Sequence, residues 1–107
     1  MILSIIIPVY NEEKTIIEVL KKIKKNTSSL FKYEIVVVDD GSTDLSRKLL
    51  EDNNDLFDQL LINETNKGKG YSIKKGLLKA SGTHIIFQDA DLEYDPAEYK
   101  KFEKIFS

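Results

Sequence analysis

Four short apolar runs, spaced by segments of helical periodicity, restrict this chain to a parallel sheet clothed in helices. The runs are Leu3 to Val9, Glu34 to Val38, Leu60 to Asn63 and His84 to Gln88, rich in Ile, Val, Leu and Phe. Continuous apolarity, rather than alternation with polar residues, marks strands covered on both faces. Strand and helix alternate four times, which predicts an α/β sandwich. At 107 residues the chain can bury roughly two-thirds of its unfolded surface in one core but not in two. Residues 1 to 107 therefore read as a single domain.

The first intervening segment places Ile16, Val19, Leu20 and Ile23 at helical spacing, with Lys21, Lys22, Lys24 and Lys25 on the solvated side. Asn11 is the expected N-cap, with Glu12 and Glu13 in the first turn, where the helix dipole favours negative charge. A second helix is expected from Ser42 or Thr43, turning Leu45, Leu49 and Leu50 inward. A third is expected from Tyr71 to Ala80 on Ile73 and Leu77, and ends at Ser81-Gly82. The fourth starts at Asp95-Pro96, where Asp95 caps and Glu98 closes a capping box. Its Tyr99, Phe102 and Phe106 are expected in the core.

Charge and composition narrow the chemistry. Sixteen Lys and Arg against eighteen Asp and Glu give a net charge of -2, so no overall drive toward nucleic acid exists. The absence of cysteine excludes disulfides, zinc-thiolate sites and thiol catalysis, and suits a reducing cytoplasm. Any bound metal must use oxygen ligands. The apolar amino terminus is interrupted by Pro8 and Asn11, far short of the roughly 20 residues that a membrane span needs, and lacks a basic leader. It reads as a buried strand.

Three polar clusters follow strands directly: Pro8-Val-Tyr10-Asn11-Glu12, Asp39-Asp40-Gly41-Ser42 and Asp89-Ala90-Asp91. In an open parallel sheet all carboxyl ends lie on one edge, and ligands bind there where the strand order reverses. The clusters should converge. Carboxylates brought that close repel one another, and a divalent cation with substrate phosphates relieves the repulsion. The segment Asn66-Lys67-Gly68-Lys69-Gly70, just before a helix, has the glycines and charge for an anion loop, although a glycine-bearing surface turn explains it equally. It matches neither the P-loop nor the dinucleotide fingerprint. His84, the single histidine, reads as a structural residue at a strand start.

Taken in order, Ser4-Ile-Ile-Ile-Pro-Val-Tyr-Asn-Glu12, Tyr33-Glu-Ile-Val-Val-Val-Asp-Asp-Gly-Ser-Thr-Asp44, Asn66-Lys-Gly-Lys-Gly70 and Gln88-Asp-Ala-Asp-Leu92 resemble family-2 glycosyltransferases of the GT-A fold. The resemblance implies a Rossmann-like three-layer α/β/α arrangement with a mainly parallel sheet, cut off after the DxD strand and its following helix. It leans toward enzymes that transfer sugars to polyprenyl or dolichyl phosphate. It implies that Pro8, Tyr10, Glu12, Val38 and Asp40 surround the base and ribose of a UDP- or GDP-sugar, with Asp40 pairing to the base and Asp39 supporting the loop. Lys69 and Gly70 fall beside the donor. Asp89, Ala90 and Asp91 fall at its diphosphate, Asp89 and Asp91 holding Mg²⁺ or Mn²⁺ as the catalytic pair, with Glu93 approaching the ion. The cation would stabilise the departing nucleoside diphosphate in an inverting displacement.

A phosphate acceptor would need no protein base, whereas a glycan acceptor would. Family members continue well past the DxD, and this chain ends at Ser107. Donor binding is therefore expected without robust transfer, with self-association or a partner chain supplying the acceptor half. The expected location is cytoplasmic, peripheral at the membrane face. The competing readings are a non-catalytic donor-binding module, a phosphorelay receiver and a nucleotidyltransferase. The receiver wants an acidic pair after the first strand and the nucleotidyltransferase a glycine-rich loop there; Pro8-Val-Tyr10-Asn11 supplies neither.

Overall fold

The computed structural model describes residues 2–26 and 32–91. Its elements are β1 (Ile2–Val9), α1 (Ile16–Asn26), β2 (Lys32–Asp40), α2 (Ser46–Asp52), a 3-10 turn (Asn54–Leu56), β3 (Gln59–Asn63), α3 (Lys69–Lys79) and β4 (His84–Phe87). The four expected strands all form and pair in parallel, in the spatial order β3-β2-β1-β4. The helix expected from Asp95, with Glu98, Tyr99, Phe102 and Phe106, lies outside the described residues.

Strand order decides which face each helix covers. The chain steps from β1 to β2 to β3 in one direction, then jumps back across the sheet to β4. With right-handed crossovers, α1 and α2 fall on one face and α3 on the other. The core divides accordingly. Leu3, Ile5, Ile7, Ile35 and Val37 pack with Ile16, Leu20, Ile23 and Leu50 on the α1 and α2 side. Ile6, Val36 and Val38 form a smaller cluster on the α3 side. The reversal lies between β1 and β4, where an open sheet forms a crevice at its carboxyl edge. A receiver-type sheet has β1 between β2 and β3 instead, so the observed order removes that alternative.

The helices start and pack differently from the expectation, for local reasons. α1 begins at Ile16, not beside Asn11, whose backbone turns to a φ of 51°. Glu12 and Glu13 lie in the preceding turn, where the Glu12 carbonyl accepts the Thr15 and Ile16 amides at 3.1 and 2.9 Å. α2 begins at Ser46 because the Asp44 carboxylate takes the Ser46 amide at 2.8 Å. Leu45 is thereby left outside the helix and exposed, while Leu50 is buried as expected.

In α3 the buried residues are Ser72 and Gly76, not the Ile73 and Leu77 pair; Leu77 is exposed. A Cβ at Gly76 would lie 2.6 Å from Ile6 Cγ2 and 3.4 Å from Val38 Cγ2. Small residues let the helix backbone settle directly on β1 and β2. α3 leaves β4 uncovered, so the side chains of Ile85 and Phe87, in register with Ser4 and Ile6, remain exposed.

Gly76→Val should lower unfolding stability by about 1–3 kcal/mol, the usual cost of overpacking, despite the better helix propensity of the new residue. Urea denaturation checks this through a lower midpoint at an unchanged slope.

Candidate functional site

A crevice of about 320 Å³ opens where the carboxyl ends of β1, β2 and β4 meet the amino terminus of α3. The end of β1 contributes Pro8, Val9, Tyr10 and Glu12, and β2 contributes Asp40. Asn66 and Gly68 come from the β3–α3 loop, Lys69 from the first position of α3, and Asp89, Ala90 and Asp91 from the turn after β4. The expected site residues thus come together except for three. Val38 is fully buried, because strand alternation turns it under α3 into the smaller core cluster. Gly70 is exposed on α3 and does not line the crevice. Glu93 lies outside the described residues. Val9, Asn66 and Gly68, members of the same sequence motifs, line it as well.

Asp40 is the best-connected side chain of the site. Its Oδ1 accepts from Asn63 Nδ2 at 2.9 Å and from the Lys67 amide at 2.7 Å, and its Oδ2 accepts from the Gly68 amide at 2.9 Å. Burial pushes its carboxyl up, but the Lys67, Asn63 and Gly68 donors outweigh it and hold the group below its ordinary value. Asp40 is therefore ionised and accepts hydrogen bonds only. The two glycine-loop amides of Lys67 and Gly68 serve this internal carboxylate rather than an external anion. The first-turn amides of α3, from Lys69, Gly70 and Tyr71, retain no intrahelical acceptor. Gly41 completes the arrangement. Its φ is 68°, and a side chain there would overlap the backbone of Thr65 and Asn66.

Asp39 points to the opposite face and behaves differently. Burial raises its pKa, and Ser42 and Arg47 draw it only partly back. Neither oxygen makes a well-formed hydrogen bond, so the Ser42 contact is weak. The expectation that Asp39 supports the loop is corrected: Asn11 and Asp44 do so. Asn11 Oδ1 accepts the Thr43 and Asp44 amides at 2.8 and 3.2 Å, and Asp44 Oδ2 accepts the Glu13 amide at 3.2 Å.

Two residues that sequence reasoning missed anchor the crevice. The Thr15 hydroxyl lies 2.7 Å from the Ala90 carbonyl, fixing the Asp89-Ala90-Asp91 turn against the start of α1. Ser46 Oγ accepts the Glu12 amide at 2.8 Å. Neither has a motif signature, because each acts across more than thirty positions of sequence.

Asp89 and Asp91 supply carboxylate oxygens, which suit Mg²⁺ or Mn²⁺ and not a soft metal. No group of three acidic or histidine side chains able to hold a metal occurs among the described residues. A cation held here must complete its shell with water and ligand phosphates, the ordinary arrangement for Mg²⁺. Across the mouth, Lys69 Nζ donates to Asp89 Oδ1 at 2.6 Å. The donor set fits a hard divalent ion bound jointly with a phosphate.

Residues 4–106 match the family model described as glycosyl transferase family 2. The chain belongs to that family. It is 38% identical over 99 residues to an undecaprenyl-phosphate 4-deoxy-4-formamido-L-arabinose transferase of Proteus mirabilis, covering 89% of this chain and 30% of the relative. The fold superposes on S. aureus TarS residues 1–349 in complex with UDP-GlcNAc at a TM-score of 0.82 and 33% identity, over 99% of this chain and 31% of that one. The mannosyltransferase PcManGT of Pyrobaculum calidifontis, in complex with GDP-Man and Mn²⁺, matches at a TM-score of 0.75 and 31% identity, over 90% and 29% of the two chains. The parallel sandwich is that of the GT-A glycosyltransferases, and the chain spans under a third of the length of these three proteins.

Because the folded pKa of Asp40 lies below its ordinary 3.8, its contribution to stability is complete above that pH and disappears as pH falls through the depressed value. Asp40→Asn should lose about 1–3 kcal/mol at pH 7, since an amide nitrogen replaces one acceptor facing buried donors. It should also flatten the acid limb below pH 3.8. Urea midpoints measured from pH 7 to pH 2 check both effects. Glu34, half-buried and pushed up by burial but held down by Ser4 and Ser81, keeps a shallower limb in the variant.

Proposed function

We propose that the crevice binds a UDP- or GDP-sugar, and that Asp89 and Asp91 hold Mg²⁺ or Mn²⁺ against its diphosphate. The observation that carries this reading is the convergence of Asp40, Lys69, Asp89 and Asp91 on one crevice at the strand reversal. Asp40, ionised and acceptor-only, is suited to take a base N–H such as the ring N–H of uracil or guanine. Pro8, Val9 and Tyr10 offer apolar surface to base and ribose, and Glu12 a hydrogen-bond acceptor beside them. Glu93, next to Asp91 but one in sequence, is read as a further oxygen ligand.

The activity proposed for the whole protein is sugar transfer with inversion. The bond between the anomeric carbon and the β-phosphate oxygen breaks, its electron pair leaves on the diphosphate, and an acceptor oxygen bonds to the same carbon from the opposite face. The bound cation supplies charge stabilisation of the leaving diphosphate. This chain's own residues bind and orient the donor.

The acceptor is read as a polyprenyl phosphate, in keeping with the undecaprenyl-phosphate relative. Such an acceptor, already ionised, needs no general base, and it places the reaction at a membrane surface, with the donor on the cytoplasmic side. No helix among the described residues is long and apolar enough to cross a membrane. The exposed Ile85 and Phe87 beside the crevice edge are read as the surface against which the acceptor-binding portion packs, whether from the same polypeptide, a second copy or a partner chain. A donor-binding module without transfer is the second reading. It predicts donor binding but no product with polyprenyl phosphate under any assembly state.

Binding of UDP or GDP should require Mn²⁺ or Mg²⁺ and be lost in chelator. Asp89→Asn should weaken it by at least about 10-fold, the loss that even an outer partner of a metal brings, while His84→Ala should leave it unchanged. Isothermal calorimetry with and without EDTA checks this, and equal affinity in EDTA would sink the metal-bridged reading.

A further inference from the structure

The Lys69–Asp89 pair is the shortest ion pair among the described residues, at 2.6 Å, although both side chains are largely exposed, at 61% and 56%. The other three pairs join residues four apart along one helix at 3.5 to 3.7 Å. This one spans the crevice, from the first residue of α3 to the turn after β4. Lys69 sits at a helix amino terminus whose first turn carries no acidic residue, where the helix dipole disfavours a cation. Asp89, not the helix, holds its ammonium in place.

On the donor-site reading above, Asp89 is also a ligand of the divalent ion. A divalent ion on either oxygen of Asp89, at the roughly 2.0–2.1 Å that Mg²⁺ demands, repels the ammonium held on Oδ1, so the two cations compete for the one carboxylate. An exposed pair contributes little stability, so the ammonium can be displaced at small cost. Once displaced, it is still tethered beside the first-turn amides of α3, facing the space a diphosphate would fill.

We propose that Lys69 is an exchangeable counter-ion: it neutralises Asp89 when no metal is present, yields that carboxylate to the incoming cation, and passes its N–H donors to the diphosphate of the donor. The inference rests on the donor-site reading and adds a coupling to it. Metal alone must displace Lys69 without compensation and binds weakly. Metal and diphosphate together give the ammonium a new anion, so each strengthens the other, as linkage requires. Lys69 thereby disfavours capture of a bare ion and makes the metal–diphosphate unit the species the crevice accepts.

The test titrates the 107-residue chain and its Lys69→Gln, Lys69→Arg and Asp89→Asn variants with Mn²⁺ alone, following free Mn²⁺ by electron paramagnetic resonance. UDP or GDP, whichever the parent binds more tightly, and the matching nucleoside are then titrated calorimetrically at saturating Mn²⁺. Lys69→Gln is expected to bind Mn²⁺ alone about 2- to 5-fold more tightly, the size of an exposed ion pair. It is expected to bind the nucleoside diphosphate about 10-fold more weakly, the size of a charge-assisted hydrogen bond, and the nucleoside equally. Lys69→Arg should restore the diphosphate arm. Unchanged or weaker Mn²⁺ binding by Lys69→Gln, or undiminished diphosphate binding, overturns the exchange. If Asp89→Asn still loses Mn²⁺ in that case, the donor site stands. Absence of Mn²⁺-dependent nucleotide binding in the parent overturns both.

Discussion

The Asp40 carboxylate is the interaction on which the crevice depends. It lies at the end of β2, nearly buried, and accepts three hydrogen bonds, one from Asn63 at the end of β3 and two from the Lys67 and Gly68 amides that lead into α3. A buried charge with one partner removed is costly. This one is satisfied on both oxygens, so it fixes the angle at which α3 leaves the sheet. That angle sets where Lys69 and the first-turn amides point. Gly41, whose backbone passes against Thr65 and Asn66 with no room for a side chain, brings the two loops close enough for the bonds to form.

Aspartates at this edge show how environment sorts one residue type into different uses. Asp40 is buried and satisfied, and its pKa falls; Asp39, its neighbour, is buried and poorly satisfied, and its pKa rises. Asp44 sits in a loop and, against the upward push of burial, is held down by the Ser46 hydroxyl and amide and by the Glu13 amide. Asp89 is exposed and balanced by a lysine from across the crevice. Asp89, with Asp91 beside it, stands where a mobile ion can reach it, while the buried Asp40 shapes the wall. The same separation runs through the polar supports. Thr15, Ser46 and Asn11 each tie segments around the crevice to one another.

Much of this was legible in the chain itself. Continuous apolar runs specify four strands of a parallel sheet, and β1 and β2 are buried on both faces as such runs require, while β4 keeps Ile85 and Phe87 exposed. Polar clusters at their carboxyl ends specify an edge rather than a core role, because a carboxylate is costly to bury without partners. Those two facts place Pro8, Tyr10, Glu12, Asp40, Asp89 and Asp91 at one edge, and the crevice contains all of them. Helix boundaries were less legible, since Asn11 bonds across the structure to the Thr43 and Asp44 amides instead of capping α1.

Tertiary structure alone decided the rest. Sequence names the strands but not their neighbours, and the order β3-β2-β1-β4 is what puts the reversal between β1 and β4. Alternation in β2 sent Val38 under α3 and Asp39 to the other face, although both flank or precede the acidic motif. Packing, not apolar periodicity, chose the inward face of α3: Gly76 and Ser72 allow a closer approach to Ile6 and Val38 than Ile73 and Leu77 would. The physical reason is common to all three. Local residue type fixes what an element can be, while its partners follow from contacts between positions far apart in the chain, and those energies exist only once the sheet has assembled.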